Sequence, residues 1–398
     1  MSETTKSLPG TLNLSQNSKV IFAILMFLGV IGFGISLASG DTERAWHAYL
    51  IGYFYFVSLA LGGLFFAAIQ HITKAGWSVN IRRFAEGLTS FLPIAFVFGI
   101  ILLFGAGHLY EWLHPEAVAH DRLLQHKAPY LNQGFFWVRV VLFFVLWLIF
   151  QKSIVGRSLK QDETGDVGLT AKNLKASIGF IVVFALSYSF FSVDHLMSLE
   201  PHWFSTIFGV YCFAGLFQST LAFIIIFVVK SMKSGQLKGW VDENHLHDLG
   251  KFLFAFTVFW AYIAFSQYML IWYANIPEET LFYIPRSKGS WAFISVALIL
   301  LKFVVPFFAL LPRWAKRSPG YLSAVAGWIL IMQYVDLYWL VYPNLSKTET
   351  IFGLTEILTF CGFLGVFLFV VTRFLSKHQI VPVKDPYIHE SMHHHVVY

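Results

Sequence analysis

Apolar residues run along this chain in long stretches separated by short polar segments. They show neither the period-two alternation of a half-buried strand nor the narrow stripe of a soluble amphipathic helix. Each stretch approaches or exceeds the roughly 20 residues that a helix needs to cross a bilayer. The pattern predicts ten spans, at residues 20–38, 47–72, 86–107, 134–151, 176–197, 204–230, 250–274, 290–311, 320–342 and 351–374. The run Val20–Leu37 follows a polar start, Met1–Ser18, and has no small-residue cleavage pattern, so it reads as a retained first helix rather than a removed leader. The expected fold class is an all-α integral membrane protein of about ten transmembrane helices.

Composition strengthens this expectation. In 398 residues, 57% are hydrophobic and only 13% charged, which is more apolar surface than one soluble core buries, so lipid is the expected solvent. The charge is unevenly placed. With ten spans both termini share a side, and the segments on that side carry 20 of the 28 lysines and arginines, among them Lys6, Arg82, Arg83, Lys316 and Lys384. The opposite segments carry six (Arg44, Arg122, Lys127, Arg286, Lys288 and Lys347), and Arg139 and Lys302 fall within spans. Positive residues stay inside, so both termini are expected in the cytoplasm and the His108–Gln133 loop outside. This topology accounts for the net charge of +6 without a nucleic-acid partner. Cys212 and Cys361 both lie in apolar runs, without metal-ligand or redox-motif spacing, so no disulfide, zinc site or iron-sulfur cluster is expected of this chain alone.

Two pairs of segments repeat. Trp46-x5-Gly52 opens the second span and Trp203-x5-Gly209 the sixth, while Val193-Asp194-x6-Pro201 ends the fifth and Val335-Asp336-x6-Pro343 the ninth. Repeats four spans apart run in the same direction and predict two related four-helix bundles. The expected division is a cytoplasmic segment 1–19, a flanking helix and outer loop 20–45, bundles 46–202 and 203–343, a second flanking helix 344–375 and a cytoplasmic tail 376–398.

Charged groups within spans are costly and are the first functional candidates. Asp194 and Asp336 hold matching places in the two repeats, about two turns before a proline expected to close each helix. Arg139 lies at a depth where it can neutralise Asp194, either as a packing pair or in proton handling. Lys302, near the middle of its span, must find an acid, a carbonyl or water, or lose its proton. Glu356 fits a helix N-terminus, where the macrodipole favours an acid, and stands beside the other four as a proton-path candidate. Intramembrane amides and hydroxyls such as Gln218, Gln267, Gln333 and Ser187 read chiefly as groups joining helices. Histidines gather at the span ends (His47, His71, His108, His195, His202), so no deep pair offers a haem its two axial ligands. His108 and Glu111 are candidates for a quinol site at the outer surface, accepting a hydroxyl proton. His393, His394 and His395 form only a weak metal-binding signal.

Several segments together resemble the polysulfide-reductase membrane-subunit (NrfD-like) superfamily, and more narrowly the smaller NrfD-like subunit of bacterial alternative complex III. They are Tyr53-Phe54-Tyr55-Phe56 through Leu61-Gly62-Gly63, Val193 through Leu199, Pro201-His202-Trp203-Phe204-Ser205-Thr206-Ile207-Phe208-Gly209, and the tail Val381 through Pro386. The resemblance implies a respiratory quinol:electron-acceptor oxidoreductase in the bacterial inner membrane. It implies multihaem cytochrome and iron-sulfur partner subunits that hold the haem and clusters, a larger NrfD-like sibling and small membrane-anchoring subunits. This chain would then be a scaffold and proton-conducting subunit with no redox cofactor of its own and no catalytic residue. By position the resemblance carries over Asp194 alone, and Asp336 follows from the internal repeat. Two alternatives stand beside this expectation: a second quinone site near His108 and Glu111, and, from another class, a secondary transporter.

Overall fold

The computed structural model describes residues 9–395, so Lys6 lies outside the described residues. Among these residues there is no strand. Ten helices are long and apolar enough to cross a membrane. They are α1 (Gln16–Ala38), α2 (Thr42–Ile72), α3 (Gly76–His108), α4 (Gln133–Thr164) and α5 (Gly168–His195), followed by α6 (Phe208–Lys233), α7 (Glu243–Ala274), α8 (Gly289–Leu310), α9 (Pro319–Val341) and α10 (Leu354–Lys377).

Local chemistry sets where these helices begin and bend. Asn132 accepts the Phe135 amide and starts α4, and Asp242 accepts the amides of Asn244 and His245 and starts α7. Gly165 ends α4 at φ +71°, a conformation glycine adopts without strain. Pro93 has no N–H to offer, and α3 narrows to a 3-10 turn at Thr89–Phe91 just before it. Pro306 likewise leaves a carbonyl one turn back without its usual partner, and α8 widens into a π-helix over Leu298–Val304.

Helices α2 and α6 are apolar on all sides and buried along nearly their whole length. Around α2, α3 packs on α4, α4 on α5, and α3 and α5 on α2. Around α6, α7 and α9 pack on α6 and both contact α8. Helices α2 and α5 meet α6, and the α1–α10 pair lies against α2. Outward positions stay apolar and exposed, among them Phe27 and Val30 on α1, Phe265 and Leu270 on α7, and Phe293 and Phe308 on α8. Glycines bring α1 and α10 into backbone contact: a Cβ on Gly29 would lie 2.2 Å from the Gly362 Cα.

The connections gather at two ends. The termini end holds the first and last described segments, joined by backbone bonds from Leu12 to Leu375 and from Ile380 to Gly10. The far end holds the loops between α1 and α2, α3 and α4, α5 and α6, α7 and α8, and α9 and α10, cross-linked for instance by Lys127 donating to the Pro201 carbonyl.

Four expectations are corrected. Helix α5 stops at His195, not at Pro201, because the Ser198 hydroxyl takes the Asp194 carbonyl at 2.6 Å and a 3-10 turn, Met197–Leu199, follows. Asp194 therefore sits in the last turn of its helix. His47, expected at or beyond a helix end, lies inside α2 and is buried. The loop after His108 folds into short helices at Pro115–His120 and Arg122–Lys127. Arg82 and Arg83 belong to a buried helical segment rather than to a loop.

Candidate functional site

Two buried carboxylates, each with a basic partner on the preceding helix, form the centre of the candidate site. Arg139 on α4 meets Asp194 on α5 with two nitrogens, Nε to Oδ2 at 2.7 Å and Nη2 to Oδ1 at 3.1 Å. Tyr130 donates its hydroxyl to Asp194 Oδ1 at 2.9 Å and accepts Arg139 Nη1 at its backbone carbonyl, also at 2.9 Å. The rings of Tyr130 and Phe135 face the guanidinium at 4.0 and 4.4 Å. A planar cation is thus held on its edge by oxygens and on its faces by π-electrons, with the acid fully hydrogen-bonded.

The second pair repeats the arrangement with different donors. Lys302, inside the π-helix of α8, places Nζ 2.5 Å from Asp336 Oδ2 and 2.7 Å from Gln333 Oε1, both on α9. Asp336 also accepts the Tyr211 hydroxyl from α6 and the Trp260 indole N–H from α7, the latter at 3.2 Å. The ammonium stands 4.4 Å from the Trp260 ring. Of the partners open to Lys302 by its position, the structure supplies an acid and a side-chain carbonyl together. In each pair the cation comes from one helix and the acid from the next, α4 to α5 and α8 to α9.

Glu356 occupies a separate place. It accepts Arg44 Nε and Nη2 at 2.7 and 2.8 Å, the Tyr342 hydroxyl at 2.6 Å and the Gly353 amide at 2.7 Å. The last bond closes the first turn of α10, the role expected of an acid at a helix start. The amides behave as helix joiners: Gln218 donates to Thr257 at 3.0 Å and Gln267 to Tyr283 at 3.1 Å.

His108 and Glu111 line a far-end cavity of about 580 Å3 together with His47, His202, Glu200 and Lys347. Next to it lies a buried charge that the sequence reading placed in a loop. Arg286 donates to the carbonyls of Phe282, Trp339 and Leu340 at 2.6, 3.1 and 2.9 Å, stacks 3.6 Å from the Phe282 ring, and lies 3.6 Å from Glu200. Burial lowers its pKa to about 10, against the pull of Glu200, and burial raises Glu200 above the usual carboxylate range.

A second missed cluster closes the termini end. Arg82 Nη2 lies 2.5 Å from Asp385 and its Nε 3.4 Å from Glu86; Arg83 pairs with Glu86 at 2.9 Å and with Asp162. Ser158 donates to Glu86 at 2.8 Å. The detectable signal was spacing: Arg82 and Arg83 stand four and three residues before Glu86, on one helix face. Among the described residues, no three histidines, cysteines or acids are grouped to hold a metal ion.

No known protein family and no curated protein matches the chain.

Proposed function

We propose that this chain is a membrane-inserted subunit of a respiratory quinol-oxidising complex of the NrfD-like type. In this reading it acts as scaffold and proton-conducting element and holds no redox cofactor itself. The observation that carries the reading is the equivalent placement of Arg139–Asp194 on α4 and α5 and of Lys302–Asp336 on α8 and α9. That equivalence, and the closed packing circuits of α2–α5 and α6–α9, support two four-helix bundles repeated in parallel and flanked by α1 and α10. The exposed apolar faces of the outer helices support insertion in lipid, and the bias of basic residues toward the termini end supports cytoplasmic termini in a bacterial inner membrane. The far end would then face the periplasm and the haem and iron-sulfur partners. The larger sibling and the small anchoring subunits would pack against the outer helix faces.

The test is purification through a tag on this chain in mild detergent, followed by haem staining, iron analysis and a quinol-oxidation assay. Co-purifying haem protein with quinol-oxidising activity is the expected result. A lone colourless protein rejects the proposal and leaves a secondary transporter as the reading to pursue. Within an active complex, Asp194→Asn and Asp336→Asn are expected to lower proton translocation per electron while the complex still assembles. Failure of assembly assigns both acids to packing alone.

The far-end cavity favours a second reading. Its size suits a ring-sized ligand, and His108 and Glu111 in its wall would accept hydroxyl protons from a quinol head group. Photolabelling by an azidoquinone distinguishes the two: label on residues 108–111 supports a quinone site here, and label confined to partner subunits rejects it.

A further inference from the structure

Two wholly buried polar groups on neighbouring helices lie side by side with atoms that no described residue satisfies. The rings of Tyr53 on α2 and His195 at the end of α5 are 5.6 Å apart. Neither Tyr53 Oη nor His195 Nε2 has a hydrogen-bond partner among the described residues. Their chemistry is complementary. His195 Nδ1 lies 2.9 Å from the Phe191 carbonyl one turn back, so Nδ1 carries the hydrogen and Nε2 presents a lone pair. Tyr53 has a hydroxyl hydrogen to give.

The surroundings are chiefly aromatic. Phe191 stacks 4.0 Å from the His195 ring, Phe136 lies 5.5 Å from it, and Phe191 is 6.1 Å from the Tyr53 ring. Room for the hydroxyl comes from α3, where a Cβ on Gly99 would stand 2.7 Å from Tyr53 Oη. The site is also one residue away from the far-end cavity. Tyr110, in the cavity wall, donates its hydroxyl to the His195 carbonyl at 3.1 Å.

We propose that Tyr53 and His195 hold one internal water molecule beneath the far-end cavity. The tyrosine hydroxyl donates to this water, and the water donates to His195 Nε2. An unpaired buried donor and an unpaired buried acceptor each destabilise a fold, and one molecule that both donates and accepts removes both penalties. The water would sit one residue from the Arg139–Asp194 pair. The site stands on its own geometry, whatever complex the chain belongs to.

An experimental map of the purified protein at water-resolving resolution tests it directly. A discrete density about 2.7–3.0 Å from both Tyr53 Oη and His195 Nε2 is expected. A dry site, or a Tyr53 hydroxyl turned onto a backbone carbonyl, overturns the proposal. The Tyr53→Phe variant gives a second test through the sign of its effect. Around a bound water, loss of the hydroxyl removes a hydrogen bond and lowers Tm, by about 1–2 °C. In a dry site it removes an unsatisfied polar atom, so an unchanged or raised Tm also overturns the proposal. Neither readout depends on proton transport or on partner proteins.

Discussion

Arg139 and Asp194 are worth little as a sum of attractions and much as a matched set, because each desolvated charge depends on the other. Arg139→Met alone should destabilise the protein by about 3–5 kcal/mol, while the double variant Arg139→Met with Asp194→Leu should recover most of that loss, as read by thermal unfolding in detergent. At the far end, Asp121 is exposed to titration. The His202 imidazole 2.5 Å away and the amides of Leu123 and Leu124 hold its carboxyl below the usual range. A depressed carboxyl stabilises above its unfolded pKa and loses that contribution as pH falls through the folded value. Hydrogen exchange at Leu123 and Leu124, corrected for intrinsic rate, should therefore accelerate as pH falls from about 5 to about 3. Charges deep in apolar runs were legible in the sequence, since nothing but a partner or a function keeps them there. Asp336 as the partner of Lys302 was not, because a linear chain holds no distances between helices. Arg286 was illegible for another reason: a buried charge near the end of an apolar run looks the same as a solvated one.

Among the elements, α1 and α10 depend on the absence of side chains where they cross. Gly29→Val sets a Cβ against the Gly362 backbone and should cost about 1–3 kcal/mol through displacement of α10. Maleimide labelling gives an independent check: Cys361, half-buried beside Gly362, should react faster in the variant, while Cys212, buried on α6, should remain slow. All ten long helices could be read from apolar run length, since outward-facing and core-facing positions are both apolar and the runs stay unbroken. Their ends were harder. Helix α5 ends where a serine hydroxyl takes a carbonyl, and α8 widens over Leu298–Val304 without any break in hydrophobicity. That widening positions Lys302, and run length carries no trace of it.

At the scale of the whole molecule, the two ends are built differently. The far end joins loops to one another around a cavity, whereas the termini end is closed by the chain's own tail. Ile380 and Val381 are fully buried, Asp385 meets Arg82, Lys384 donates to the Glu163 carbonyl at 2.6 Å, the Ser391 hydroxyl donates to the Trp77 carbonyl at 2.9 Å, and His394 meets Asp248 at 2.5 Å. Truncation after Lys377 should leave Arg82 without Asp385, lower Tm by several degrees and make trypsin cut at Arg82–Arg83 faster than in the full-length chain. The sequence marked this tail as a cytoplasmic ending with one family-like segment, Val381 through Pro386; its docking depends on surfaces that α3, α4 and α7 create together.

The order of synthesis gives that closure a further meaning. Arg82 and Arg83 leave the ribosome some three hundred residues before Asp385, so during most of translation the helices that carry them lack the partner they finally use. A nascent product stalled before Asp385 would still display the unsealed surface, and quality-control proteases could recognise it by that surface alone.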